Sequence, residues 1–209
     1  HNVKGARAPG RLEPVTTIAI IGTGNVGSAI GASAAKAGYD VVFAGRDPEH
    51  AQAAASAAGA TAAASPLEAA AAADIVVLAV PYGSLAQVAA EIAFVAAGKV
   101  VVDPTNPLKP DYSGLALGDT SAAEELARLL PESKVVKAFN TVFAGNTANP
   151  QGLGFQLDSL FATDDEAAKD AICGLSSSIG FRPIHVGPLA ASRELEAMAW
   201  LNIRLQLIS

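Results

Sequence analysis

Thr17-Ile18-Ala19-Ile20-Ile21, followed at once by Gly22-Thr23-Gly24-Asn25-Val26-Gly27, is the stretch on which the fold turns. The first five residues form a short continuous apolar run, which suits a strand buried on both faces of a parallel sheet. The next six fit G-x-G-x-x-G. In that pattern the first glycine permits a tight turn, the second lets backbone approach a pyrophosphate, and the third allows close helix–strand packing. A helix predicted over Asn25–Ala37 and ended by Gly38 then offers free N–H groups and a partial positive charge to phosphates. Glycine is common here, at 19 residues, so the bare pattern also fits a plain strand-to-helix turn. Its place between a buried strand and a helix that closes a βαβ unit points to dinucleotide binding.

Outward from this turn, strand and helix alternate. Strands are predicted at Tyr39–Ala44, Gly59–Ala64, Asp74–Val80, Lys99–Asp103, Lys134–Phe139, Ser159–Thr163 and Phe181–Val186. Between them helices are predicted at Pro48–Ala58, after a Ser65 cap with Pro66 at the first position, and at Tyr82–Val95, Ser121–Leu130 and Asp165–Ile179. A terminal helix follows at Leu189–Leu207. The segment from Pro104 to Gly118 reads as a long loop, and Gly145–Gly154 as irregular chain. The succession predicts an α/β fold: a doubly wound, mostly parallel Rossmann-type sheet, extended by a C-terminal βαβ unit and a terminal helix. Residues 17–209 are expected to form a single domain, and residues 1–16 an N-terminal extension, in part a tag remnant.

Ligands of such folds bind beyond the carboxyl ends of the strands, where Gly22–Gly27, Gly45–Asp47, Pro81–Tyr82, Pro104–Pro107 and Asn140–Thr141 are all predicted to lie. The end of the second strand chooses between cofactors. NAD sites place an acid there for the ribose hydroxyls, whereas NADP sites use a basic residue for the 2′-phosphate. Here Gly45 leads into Arg46, whose guanidinium suits a phosphate and can lie against adenine. Asp47 lies one position too far to be the obvious ribose acid. NADP(H) is therefore the expected cofactor.

Composition narrows the rest. A net charge of -6 and an isoelectric point near 5.0 disfavour a nucleic-acid partner, and the alanine-rich, 51% hydrophobic composition suits close-packed helices. Cys173 is the only cysteine, so neither an intrachain disulfide nor a cysteine-based zinc site is available. Apolar runs are broken before spanning length, so no membrane partner is expected and a cytoplasmic location is.

With these residues in view, the chain resembles the F420-dependent NADP oxidoreductase family, which the reductase domains of membrane metalloreductases also resemble. The likeness is carried by Ile18–Ile21 with Gly22–Gly27, by Val42–Pro48, Asp74–Tyr82, Val101–Pro107 and Lys134–Val142, and by Gly187-Pro188-Leu189 followed by Ser192-Arg193. It implies hydride transfer between NADP(H) and a stacked flavin-like ring, F420 or an ordinary flavin (FMN or FAD). Such a reaction needs proximity, orientation and a dry site but no obligatory catalytic side chain. No Ser–His–Asp, Cys–His or metal cluster appears among the strand-end loops, so no catalytic residue and no metal ligand is assigned. By the same likeness Thr23, Asn25, Val26, Arg46, Val80, Pro81 and Tyr82 hold NADP, while Asn106, Pro107, Asn140 and Thr141 border the nicotinamide and the acceptor. Asn140 stands where archaeal F420-using members carry histidine, which implies a different acceptor or a divergent branch.

Plainer readings accompany these. Asn140 and Thr141 also suit a strand terminus, Tyr82 aromatic packing, and Asp103 a loop-shaping role before Pro104. Cys173 is expected to be buried and inert, and Met198 and Trp200 to serve the core or a homodimer contact. Two other functions compete: an NADP(H) sensor without chemistry, favoured by the lack of a catalytic group, and a small-substrate NADP dehydrogenase. The second class usually carries a substantial helical second domain, for which the stretch after Gly187 is too short.

Overall fold

In the computed structural model, which describes residues 16–208, the apolar run becomes strand β1 (Thr17–Ile21), with Ile18, Ala19 and Ile20 fully buried. The further strands are β2 (Asp40–Ala44), β3 (Thr61–Ala62), β4 (Ile75–Leu78), β5 (Val100–Asp103), β6 (Lys134–Ala138), β7 (Asp158–Ala162) and β8 (Arg182–His185). The helices are α1 (Asn25–Lys36), α2 (Pro48–Ala58), α3 (Pro66–Ala72), α4 (Tyr82–Ala96), α5 (Ala122–Leu129), α6 (Ala144–Ala148), α7 (Glu166–Ser178) and α8 (Ser192–Ile208). One eight-stranded sheet results, in the order β3-β2-β1-β4-β5-β6-β7-β8. It is parallel except where β7 runs antiparallel to β6. This is the doubly wound, mostly parallel arrangement read from the sequence. The order reverses between β1 and β4, the topological switch point.

The central strands are apolar on both sides because both faces are covered. On one face Ile18, Ile20, Phe43, Val77, Val102 and Val136 meet Ile30 of α1 and Ile172 and Leu175 of α7. On the other Ala19, Ile21, Val76, Leu78 and Val101 meet Leu85 and Ile92 of α4 and Leu126 of α5. Alternate residues of each strand thus belong to alternate cores.

Several expectations need correction. The strand anticipated over Gly59–Ala64 contracts to Thr61–Ala62, at the sheet edge where it has a single neighbour. Helix α6, Ala144–Ala148, extends into the segment Gly145–Gly154 that was expected to be irregular, although its N-cap Phe143 makes no side-chain capping bond. Tertiary contact overrides weak propensity there: Ser33 of α1 donates from Oγ to the carbonyl of Thr147 at 2.7 Å. The terminal helix begins as a 3-10 turn at Leu189–Ala191 before α8 proper. Cys173 is half-buried rather than buried. The proposed N-terminal extension lies, but for Thr16, outside the described residues.

Helix α1 crosses β1 and β2 at Gly31. A Cβ there would come within 2.3 Å of Phe43 Cζ and 3.1 Å of Ile20 Cγ1. Gly31→Ala should therefore destabilise the fold by about 1–3 kcal/mol, because overpacking outweighs the gain in helix propensity of about 1 kcal/mol. Urea unfolding measures this, and a companion Phe43→Leu should recover part of the loss.

Candidate functional site

Three depressions run in a row along the carboxyl edge of the central strands. The first, about 550 Å3, lies over the ends of β1 and β2 and is lined by Gly22, Thr23, Gly24, Gly45, Arg46, Asp47, His50, Val80 and Pro81 among others. The second, about 310 Å3, lies between Gly24, Asn25 and Val26, the Ala79–Tyr82 turn, and Pro104, Thr105 and Asn106. The third, about 250 Å3, is bounded by Asn25, Val26, Pro104, Asn106, the Phe139–Ala144 turn and Ala199, Asn202 and Ile203 of α8. Neighbouring depressions share walls, so the three form one trench.

The glycine turn supplies its middle. Gly22 has φ +108°, and a Cβ on it would sit 2.1 Å from the Ala79 carbonyl oxygen. A Cβ on Gly27 would sit 1.9 Å from the Gly22 carbonyl oxygen. Both are required by the protein's own packing. Gly24 differs: nothing lies within 4 Å of its added Cβ, so its backbone faces the open trench. Helices α2, α3, α5 and α7 carry side-chain N-caps at Asp47, Ser65, Ser121 and Asp165. Helices α1 and α4 have Gly24 and Pro81 at that position, no side-chain cap, and no acid in the first turn. Two helices thus point uncapped, positive ends into the trench, which fits a pyrophosphate.

At the β2 end the Asp47 carboxylate is already engaged. It accepts from the backbone N–H groups of Glu49 (2.9 Å) and His50 (3.3 Å) and so caps α2. Arg46, beside it, is exposed and has no carboxylate partner among the described residues. The turn therefore offers the Arg46 guanidinium to the depression while its Asp47 carboxylate is committed to the α2 N-terminus and to His50, 3.4 Å away, and it fits a ribose that carries a phosphate.

At the far end Phe139 leaves β6 with φ +63°, a left-handed conformation uncommon for a bulky residue. This bend turns Asn140 into a clasp. Its Nδ2 donates to Asn106 Oδ1 (2.9 Å) and to the Leu195 carbonyl (3.1 Å), while Asn106 Nδ2 donates to the Asn140 carbonyl (3.1 Å). The Asn140 Oδ1 is buried without a partner. Asn106, Asn140 and Thr141 all border the third depression, but Pro107 does not; it is buried under the loop, where its carbonyl accepts from Ala116. Tyr82 walls the second depression, and its hydroxyl donates to Glu125 at 2.7 Å. Burial, with that hydrogen bond, pushes its phenol up to about 12, so it stays protonated.

Beneath this end lies a group that the sequence reading passed over. Lys137 is fully buried, and its Nζ donates to Asp103 Oδ2 (2.9 Å), Glu196 Oε1 (2.6 Å) and the Thr105 carbonyl. Asp103 in turn accepts from the Thr105 N–H (2.8 Å) and the Thr105 hydroxyl, shaping the turn into Asn106. Glu196 also accepts from the Ala122 N–H at the start of α5 (2.9 Å). Burial pushes the Glu196 carboxyl above its ordinary range, and Lys137 pulls it part of the way back. The available signal was a charge inside two otherwise apolar strands, Val-Val-Val-Asp and Lys-Val-Val-Lys-Ala. Among the described residues no group of three or more His, Cys, Asp or Glu could hold a metal ion, and no helix is long and apolar enough to cross a membrane.

The chain as a whole is similar to known proteins. The family described as NADP oxidoreductase, coenzyme F420-dependent, matches residues 17–107. The chain is 34% identical over 213 residues to the F420-dependent NADP reductase of Methanothermobacter thermautotrophicus, covering 92% of this chain and 90% of that protein. It is 30% identical over 185 residues to metalloreductase STEAP3 of Rattus norvegicus, but spans only 36% of that longer protein. The crystal structure of an F420-dependent NADP-reductase candidate from Arthrobacter sp. FB24 superposes with a TM-score of 0.83 at 30% identity, covering 91% of this chain and 93% of that one. Glycine turn, uncapped helices and full-length likeness agree: the chain belongs to the F420-dependent NADP oxidoreductase family and is an NADP-dependent oxidoreductase.

Proposed function

We propose that the protein transfers a hydride between NADP(H) and a flavin-like ring, F420 or an ordinary flavin, seated in the third depression. The observation that carries this reading is the continuity of the trench: Asn25, Val26, Pro104 and Asn106 wall both the second and third depressions, so two rings placed there lie side by side. NADPH, when bound, supplies the hydride. Arg46 holds the 2′-phosphate, the uncapped ends of α1 and α4 hold the pyrophosphate, and the Val80-Pro81-Tyr82 turn with Asn106 positions the nicotinamide end. The third depression combines apolar walls (Val26, Phe139, Val142, Phe143, Ile203) with polar groups from Asn106, Asn140, Thr141 and Asn202. That mixture suits a planar ring with polar edges and excludes water from its face. No side chain need exchange a proton with the migrating hydride, so binding and orientation supply the catalysis.

The reading includes a homodimer and a cytoplasmic location, where the lone Cys173 stays reduced. Helix α8 exposes Leu201 (54%), Leu205 (48%) and Ile208 (73%) next to Asn202 and Ile203, which wall the acceptor depression. A second copy of the chain laid on the Leu201–Leu205–Ile208 face would cover those residues. Leu201→Asp with Leu205→Asp should halve the mass measured by light scattering; an unchanged mass would place the contact elsewhere.

Anaerobic mixing with NADPH and, separately, F420, FMN, FAD or a ferric chelate tests the chemistry, with nicotinamide oxidation as the readout. Turnover is expected with at least one ring acceptor. Tight NADPH binding without turnover for any of them would make the protein an NADP(H) sensor. Arg46→Ala should weaken NADPH by about 10–100-fold, the loss of one charge-assisted contact of about 1.5–3 kcal/mol, while barely moving NADH. Equal loss for both would count against the assignment of Arg46.

A further inference from the structure

A lysine that only needed neutralising inside the fold would be satisfied by one carboxylate. Strand register already supplies it, since Asp103 and Lys137 are directly paired across β5 and β6 and their side chains meet at 2.9 Å. Helix α8 nevertheless adds Glu196 to the same Nζ at 2.6 Å. With Lys137 and Asp103 cancelling, Glu196 sets the net charge of a cluster removed from water. That cluster lies against the trench: Lys137 binds the Thr105 carbonyl, Asp103 binds the Thr105 N–H, and Thr105 walls the depression assigned to the nicotinamide end.

We infer that Glu196, through this buried cluster, is a positioning residue that tunes the bound cofactor couple, its negative charge favouring the cationic oxidised nicotinamide over the neutral reduced ring. The inference rests on the NADP(H) reading and is independent of the acceptor. When NADPH gives up a hydride, two electrons and the hydrogen leave together and the ring is left with one positive charge. A fixed negative charge in a medium of low dielectric stabilises that product state more than the reactant state. It also does so without touching the ring.

The charge is itself titratable. Burial holds the Glu196 carboxyl above its ordinary range, so it loses its proton later than an exposed glutamate as pH rises. Around it stand Lys137 of β6, Asp103 of β5 and Tyr82 of α4, the last bonded to Glu125 of α5. On its own helix, Arg193 is locked by two hydrogen bonds to Glu124, and Glu194 is exposed. Burial thus sets the ionisation of Glu196 later in pH than that of an exposed glutamate, beside a Tyr82 that stays protonated.

The test is the ratio of dissociation constants for NADP+ and NADPH, measured by calorimetry from mildly acidic to mildly alkaline pH. The same titrations are made with Glu196→Gln and with 2′-phospho-ADP-ribose, which lacks the nicotinamide. Groups that bind the shared adenosine half, such as His50 and the 2′-phosphate itself, cancel in the ratio. As Glu196 ionises, NADP+ should tighten relative to NADPH by about tenfold, the scale of one charge acting over roughly 12 Å in an effective dielectric of about 20. Glu196→Gln should hold the acidic ratio at every pH and leave the fragment unchanged. A wild-type ratio that ignores pH overturns the inference, as does a folded Glu196→Gln with the wild-type ratio; either would make the cluster a packing pin. If Glu196→Gln does not fold, the wild-type series decides alone. Failure of the fragment to bind would instead refute the NADP(H) reading itself.

Discussion

The approach of α1 to β1 and β4 is the constraint on which the rest depends. The Gly22 carbonyl, the Gly27 Cα and the Ala79 carbonyl are so close that a methyl group on either glycine would overlap a backbone oxygen, at 2.1 Å and 1.9 Å. This contact places the first turn of α1 at the switch point of the sheet and brings the β4–α4 turn beside it. Two uncapped helix ends then share one trench, and each leaves N–H donors unused by the protein. The suitability of this turn for an anion is thus a consequence of how tightly it is packed, and Gly24, with nothing within 4 Å of an added Cβ, leaves its backbone open to the trench.

What the sequence made legible was what is local. The glycine turn, the buried strands and the cap at Ser65 each follow from residues a few positions apart, and they lie where they were read. The misreadings have a common cause. Residues 144–148 look irregular in isolation, because Gly145, Asn146 and Thr147 are poor helix formers, and the helix exists through its packing on α1. Strand β3 shrank because an edge position gives its apolar run only one partner. Pro107 looked like part of the pocket by its place in a motif, yet the loop folds over it. Lys137 and Glu196 were invisible for a different reason: they are 59 residues apart, and nothing in either neighbourhood announces the other.

Buried charges are expensive, and a pair seldom stabilises a fold more than apolar side chains of the same shape would. The Lys137 cluster therefore calls for a reason beyond stability. It joins β5, β6, α8 and the start of α5 through directional bonds, which apolar contacts would not orient. The Asn106–Asn140 clasp does the same one layer out, joining the ends of β5 and β6 to the Leu195 carbonyl of α8. Phe139 supplies the bend between them in a backbone conformation costing on the order of 1–3 kcal/mol. Its ring is buried beside Phe181, with centroids 6.4 Å apart, and that packing holds the bend in place.

The two ends of the trench are consequently built on different principles. At the end proposed for the adenosine, Arg46, Asp47 and His50 are exposed and lie within five consecutive residues, and the bonds there join Asp47 to residues two and three positions on. Replacing Arg46 there disturbs no bond among the described residues, whereas replacing Asp47 also removes the cap of α2. At the other end, apart from the local Asp103–Thr105 turn, the bonds span 32 to 74 residues, and Asn140, which borders the trench, also ties the sheet to α8. Any change there that alters the shape of the acceptor depression also alters how the terminal helix is anchored. On the proposed reading, cofactor choice can therefore be varied as a local surface property, whereas the geometry between the two rings is a property of the whole fold.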